Sequence, residues 1–233
     1  MRPSPRLLAL AGLALVAALP AQAAEDDVYM LRDMYLGIRA IGAVSMMDGL
    51  DTRNFNGTLN AQNDNDEVAG VGGVLGYRWR ALPVRTELEV AHRFRFDLDL
   101  QDRGAPGGTI DYEANVRTTS VLFNALYEWR NDTSFTPFIG GSVGWARNTA
   151  DSDRVVIVPG LPRTSKETDS DDLAWGGMLG VDWRFAGNWS AELAYRYIDL
   201  GEVEVGPFSA NNDGVTADDY TAHDVILSLS YRF

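Results

Sequence analysis

The chain has 233 residues, no cysteine and a formal net charge of −13 at pH 7. The missing cysteine excludes thiol redox and thiolate-metal chemistry, and the acidity argues against nucleic acid and anionic lipid headgroups as direct partners. The length fits one domain.

Arg2 and Arg6 precede an apolar run from Leu7 to Leu19, then Pro20 and the small-residue site Ala21-Gln22-Ala23. This is the pattern of a secretory signal peptide, and the run is shorter than the ~20 residues of a spanning helix. The expected organisation is a signal peptide over 1–23 and a single domain over 24–233. No later stretch is long and apolar enough to cross a bilayer as a helix. An exported chain of this kind is either a soluble periplasmic protein or a closed barrel, since closure alone pairs every backbone group in lipid.

Alternating segments follow in order: Met34–Ser45, Val68–Arg80, Val84–Asp97, Val116–Arg130, Phe135–Asn148, Leu173–Phe185, Trp189–Val203 and Thr221–Phe233. Each is long enough for a tilted membrane strand of ~9–11 residues. Their connections alternate in length. Ala81-Leu82-Pro83, Asn131 to Ser134 and Ala186-Gly187-Asn188 are short; Met46 to Glu67, Leu98 to Asn115, Thr149 to Asp172 and Glu204 to Tyr220 are long and polar. Short turns at one end and long loops at the other are the mark of an outer-membrane barrel. The predicted fold is therefore all-β: an eight-stranded antiparallel up-and-down transmembrane barrel.

Period-2 parity assigns the faces. In the third segment Val84, Thr86, Leu88, Val90 and Phe94 oppose Arg85, Glu87, Glu89, Arg93 and Arg95. In the fourth, Val121, Phe123, Ala125, Tyr127 and Trp129 oppose Asn124, Glu128 and Arg130. In the sixth, Leu179, Val181, Trp183 and Phe185 oppose Asp182 and Arg184. In the seventh, Trp189, Ala191, Leu193, Tyr195 and Tyr197 oppose Ser190, Glu192 and Arg196. Arg39 and Arg78 are assigned inward. In the last, Val225, Leu227, Leu229, Tyr231 and Phe233 oppose Ser228, Ser230 and Arg232, and the chain stops on an aromatic. Trp79, Trp129, Trp183, Phe185 and Trp189 collect beside the short turns, as an interfacial girdle does. Tyr35, Trp145, Trp175 and Tyr197 begin a second one.

Tyr35-Leu36-Gly37-Ile38-Arg39, Pro137-Phe138-Ile139-Gly140-Gly141-Ser142-Val143-Gly144-Trp145, Ala194-Tyr195-Arg196-Tyr197 and the terminal Ser230-Tyr231-Arg232-Phe233 resemble the OmpA-type, opacity-protein-like family of small outer-membrane β-barrels. The resemblance covers essentially all of 24–233. It implies a Gram-negative outer-membrane location and a final strand, Val225 to Phe233, that the barrel-assembly machinery reads. No peptidoglycan-binding domain follows, so anchoring to the cell wall is not implied.

Three constellations bear on function. The first is an inward charge network of Arg39, Arg78, Arg85, Glu87, Glu89, Arg93, Glu128, Arg130, Asp182, Arg184, Glu192, Arg196 and Arg232. Eight strands enclose little more than their own side chains, so a packed plug is expected over an ion pathway. The second is the histidines, His92 and His223, which parity turns outward, away from any lumenal acid or nucleophile. No catalytic residue, cofactor or metal is assigned. The third is the acidic loops: Asp48, Asp51, Asp64, Asp66 and Glu67; Asp151, Asp153, Glu167, Asp169, Asp171 and Asp172; Asp213, Asp218 and Asp219. A solvated, self-repelling surface is the plain expectation for them, and weak divalent-cation binding the sharper one.

The functional expectation is a structural, surface-displayed barrel that supports membrane integrity, with adhesion through the loops. The alternative is a small porin-like channel. Expected partners are outer-membrane lipid and lipopolysaccharide, the assembly machinery and an extracellular ligand or host surface, with the barrel a monomer.

Overall fold

A computed structural model describes residues 33–53, 59–63, 65–102, 110–156, 164–207 and 214–233. The expected signal peptide, Asp64 and Asp213 lie outside the described residues. The strands are β1 (Met34–Arg53), β2 (Leu59–Asn63), β3 (Asn65–Arg78), β4 (Val84–Asp102), β5 (Ile110–Glu128), β6 (Phe135–Val156), β7 (Thr164–Ala186), β8 (Trp189–Asp199), β9 (Val203–Val205) and β10 (Gly214–Arg232). Neighbours pair antiparallel in the order β1-β3-β4-β5-β6-β7-β8-β10, and β10 pairs with β1 to close the ring. Eight long strands make the barrel. The short strands lie off it, β2 on β4 and β9 on β10.

Local chemistry makes the short turns. Gly187 takes φ +46° between the paired Ala186 and Trp189, as a two-residue hairpin requires of its first central position. Asn131 holds the β5–β6 turn: its amide donates to the Phe135 carbonyl at 2.9 Å, and its Oδ1 accepts from the Thr133 N–H at 2.8 Å.

Alternation holds along the barrel strands, with one break in β4. Leu88, Phe123, Leu179, Leu193, Leu227 and Leu229 are exposed, while Glu89, Asn124, Arg196 and Asp224 on the opposite face are wholly buried. A soluble protein does not surround itself with apolar surface of this extent. A membrane barrel must.

Three expectations are corrected. Arg95 does not face in. The β4–β5 register shifts between Arg93 and Phe96, and the extra residue turns Arg95 to solvent and drops Phe96, fully buried, into the interior. Tyr35 is not an interfacial aromatic but lies buried inside. The long connections are largely not loops. β5 and β6 stay paired to Ile110 and Val156, and β6 and β7 to Arg154 and Thr164. Apolar alternation ends near Trp145 and Leu173, but the backbone ladder needs no apolar face once it leaves lipid. Cross-strand polar pairs carry it on: Arg147 holds Asp171 through two bonds of 2.7 and 2.9 Å, and Thr149 Oγ1 donates to Asp169 at 2.7 Å. Hydrogen bonding from Arg147 keeps the Asp171 carboxyl below the ordinary carboxylate range.

The barrel curves tightly enough that some inward positions accept no side chain. A Cβ on Gly76 would meet the Tyr35 ring at 2.1 Å. Gly76→Ala is expected to displace that ring from Glu87 and cost about 1–3 kcal/mol. Denaturant unfolding in lipid vesicles measures the loss, and an unchanged midpoint would mean that the ring moves freely.

Candidate functional site

β3 turns Gly70, Gly72 and Gly76 inward, with Val74 the one inward side chain among them, so little stands between β1 and β4. Arg39 on β1 therefore reaches past β3 to the carboxylates of β4. Its Nη2 lies 2.7 Å from Glu87 and 3.4 Å from Glu192, and its Nη1 pairs with Glu89. Tyr35 donates its hydroxyl to Glu87. Asn124 donates to Glu87 at 3.1 Å and to Glu89 at 2.9 Å. Toward the short turns, Arg85 pairs with Glu192 across the lumen, lies 3.2 Å from Glu87 and sits 4.3 Å over the Phe138 ring. Arg78 hydrogen-bonds Asp182 at 2.8 Å and lies 3.1 Å from Glu128 as an ion pair. Toward the loop side, Arg196 joins Glu89 at 2.9 Å to Asp224 at 2.8 Å, and Arg93 reaches Asp224 at 2.6 Å. Five arginines and six carboxylates thus tie β1, β3, β4, β5, β7, β8 and β10 into one network. Each charge has an opposite neighbour, which burial at this depth demands.

The expected network residues divide accordingly. Arg39, Arg78, Arg85, Glu87, Glu89, Arg93, Glu128, Asp182, Glu192 and Arg196 come together. Arg130 joins from the rim, half-exposed and 3.1 Å from Glu128. Arg184 is exposed and Arg232 half-buried; both line the short-turn mouth. Three members were not assigned to the network from the sequence: Asp224; Asn124, placed inward but not among the charges; and Tyr35, placed in a girdle. Parity turns all three inward: Tyr35 shares the face of Arg39, and the glycine at position 76 of β3 leaves its ring room.

Above the charges the interior is mainly apolar. Met47, Val68, Phe96, Val116, Leu122, Ile198, Val203, Val205, Val215 and Tyr220 form a buried cluster. The connection after β8, expected as an extracellular loop from Glu204, instead folds inward. Leu200, Val203 and Val205 are buried, and inward residues of β6 and β7 hold the backbone of this strap. Asn148 donates to the Leu200 and Glu202 carbonyls at 3.0 and 3.1 Å, Ser170 donates to the Glu202 carbonyl at 3.0 Å, and Asp172 accepts from the Glu202 N–H at 3.0 Å. Alternate Val203 and Val205, bracketed by Gly201 and Gly206-Pro207, were the available sequence signal.

Both histidines sit on the outward side. His92 Nδ1 lies 2.9 Å from Thr119 Oγ1, and His223 Nδ1 lies 2.6 Å from the Tyr195 hydroxyl. The expected girdle residues Trp79, Trp129, Trp183, Phe185 and Trp189 are exposed beside the short turns, and Trp183 stacks on Phe135 at 6.1 Å. Val225, Leu227, Leu229, Tyr231 and Phe233 form the outer edge of β10. Among the described residues no group of three acidic or histidine side chains converges to hold a metal ion. Asp66, Asp151, Asp153, Asp169, Asp171 and Asp172 are engaged by backbone N–H groups, hydroxyls or arginines of neighbouring strands.

A closed ring of eight antiparallel strands, apolar outside and packed with paired charges inside, is a transmembrane β-barrel of the outer-membrane class. Over residues 8–233 the chain matches the family described as outer membrane protein beta-barrel domain, and it belongs to that family. It is 29% identical over 177 residues to outer membrane protein PagN of Salmonella typhimurium, covering 71% of this chain and 73% of that one. Solved structures similar to it include Neisserial surface protein A, at 14% identity and TM-score 0.49 over 86% of this chain and 97% of that one. Another is Ail, the attachment invasion locus protein of Yersinia pestis, at 14% identity and TM-score 0.46 over 86% and 99%. The protein is an integral barrel of the Gram-negative outer membrane.

Proposed function

We propose that this protein is a non-conducting scaffold: a rigid barrel that holds paired hairpin arms above the outer membrane as a contact surface for an extracellular partner. One observation carries the reading. Behind the short-turn mouth the interior is filled up to the strap, first by paired charges and then mainly by apolar side chains. A filled barrel transmits rigidity to its rim and passes no solute. The work therefore falls to the extended arms of β4 to β7, whose outward faces carry Arg117, Arg147, Asp151 and Asp171 in cross-strand pairs. The protein is read as not an enzyme, because the outward histidines share no site with the buried carboxylates. It is further read as a monomer whose outer wall packs against lipopolysaccharide, whose Trp79, Trp129, Trp183, Phe185 and Trp189 sit at the periplasmic interface, and whose β10 edge is the feature recognised during assembly.

Planar-bilayer recording of the folded protein tests the scaffold. A silent bilayer is the expected result. Reproducible conductance steps that change on substitution of Arg93 would make the barrel a channel. Adhesion is tested separately, by comparing cell binding of bacteria that display the parent with bacteria that display a variant lacking residues 147–171.

A further inference from the structure

The acidity of the whole chain conceals a basic cavity. At the short-turn end, which faces the periplasm in barrels of this class, the mouth opens into a cavity of about 240 Å³ lined by Arg78, Arg80, Arg130, Arg184 and Arg232 against Asp33 and Glu128. Those carboxylates are already engaged. Asp33 holds Arg80 at 2.5 Å, and Glu128 is shared at 3.1 Å by Arg78 and Arg130. Among the described residues Arg184 and Arg232 have no ion-pair partner. They are inward-parity residues of β7 and β10, the two strands that flank β8, so both guanidinium groups line one opening. Two like charges gathered in one concave mouth repel each other, and an anion between them relieves that repulsion.

We infer that the periplasmic mouth is a binding site for a phosphate-class anion, clamped between Arg184 and Arg232 with Arg78 and Arg130 behind. The guanidinium fork matches the tetrahedral oxygens of a phosphate, and two forks supply more donors than one monovalent anion can use. The mouth lies beside Trp79, at headgroup depth. The same phosphate chemistry is presented there by an inner-leaflet phospholipid or by a soluble phosphate of the periplasm. The site goes beyond the scaffold reading and does not depend on it.

The test uses the full barrel folded in nanodiscs and inorganic phosphate as the probe. In phosphatidylcholine discs, calorimetric titration is expected to show one saturable site. The double variant Arg184→Gln/Arg232→Gln is expected to bind at least ~10-fold more weakly, since two charge-assisted contacts are lost. A charge-matched control, Arg117→Gln/Arg147→Gln in the hairpin arms, is expected to bind as the parent does. In discs containing phosphatidylglycerol, loss of phosphate binding, with the lipid retained by the parent but not by the mouth variant in native mass spectrometry, identifies a headgroup as the occupant. Unchanged phosphate binding identifies a soluble phosphate. Equal phosphate affinity and equal lipid retention in folded parent and mouth variant would overturn the site.

Discussion

Arg39→Met is expected to lower the unfolding free energy of the barrel by about 3–5 kcal/mol. Arg39 is buried and neutralises Glu87, Glu89 and Glu192 at once. Methionine fills a similar volume, so the cavity contribution is small. The loss arises because buried carboxylates are left facing one another with Arg85 and Arg196 as their remaining counter-charges. The intact pairing need not be strongly stabilising in itself, because desolvation offsets most of the attraction; removing one partner is what costs. Equilibrium denaturation in lipid vesicles, with the folded species followed by its electrophoretic mobility, reads the change. Adding Glu89→Gln to the variant is expected to restore part of it. A loss below ~1 kcal/mol would show that water reaches the carboxylates and that the lumen is wetter than the packing implies.

Leu227→Arg is expected to cost about 2–4 kcal/mol by the same assay. Leu227 is exposed on the outer face of β10, midway between the Tyr231–Phe233 edge and the His223–Tyr197 level. If the wall faces lipid, arginine there must sit near the bilayer midplane or snorkel to an interface. If the wall faced water, the same change would be nearly free. Thr149→Arg, on the polar arm of β6 above Trp145, is the internal control and is expected to stay within ~0.5 kcal/mol. Equal costs at the two positions would place the apolar band elsewhere on the strands.

The faces of the barrel were legible because period-2 parity is local. Once Glu89 points in, Leu88 and Val90 must point out, and no distant residue can alter that. Parity failed where a local count changed: one extra residue between Arg93 and Phe96 reversed the sides of Arg95 and Phe96. The ends of the strands were illegible for another reason. Apolar alternation reports contact with lipid, whereas the ladder of β5, β6 and β7 continues past it on backbone bonds and polar pairs. Arg184 and Arg232 carry the same inward parity as Arg39, yet they stand at the mouth without carboxylate partners among the described residues.

Sequence alone therefore determined the class of protein, the inward and outward residues of five of the eight strands, the short turns and the expectation of a plugged lumen. All of these follow from alternation and turn chemistry, which act within a few residues. Tertiary structure alone decided which charges meet, since Arg39 reaches Glu87 across β3, whose inner face carries glycine at 72 and 76. It also decided that Leu200 to Val205 folds back as a strap, and that unpaired arginines converge at one mouth. Those outcomes depend on ring closure, which brings β1 to β10 and sets β4 opposite β8, and no short-range pattern encodes that meeting.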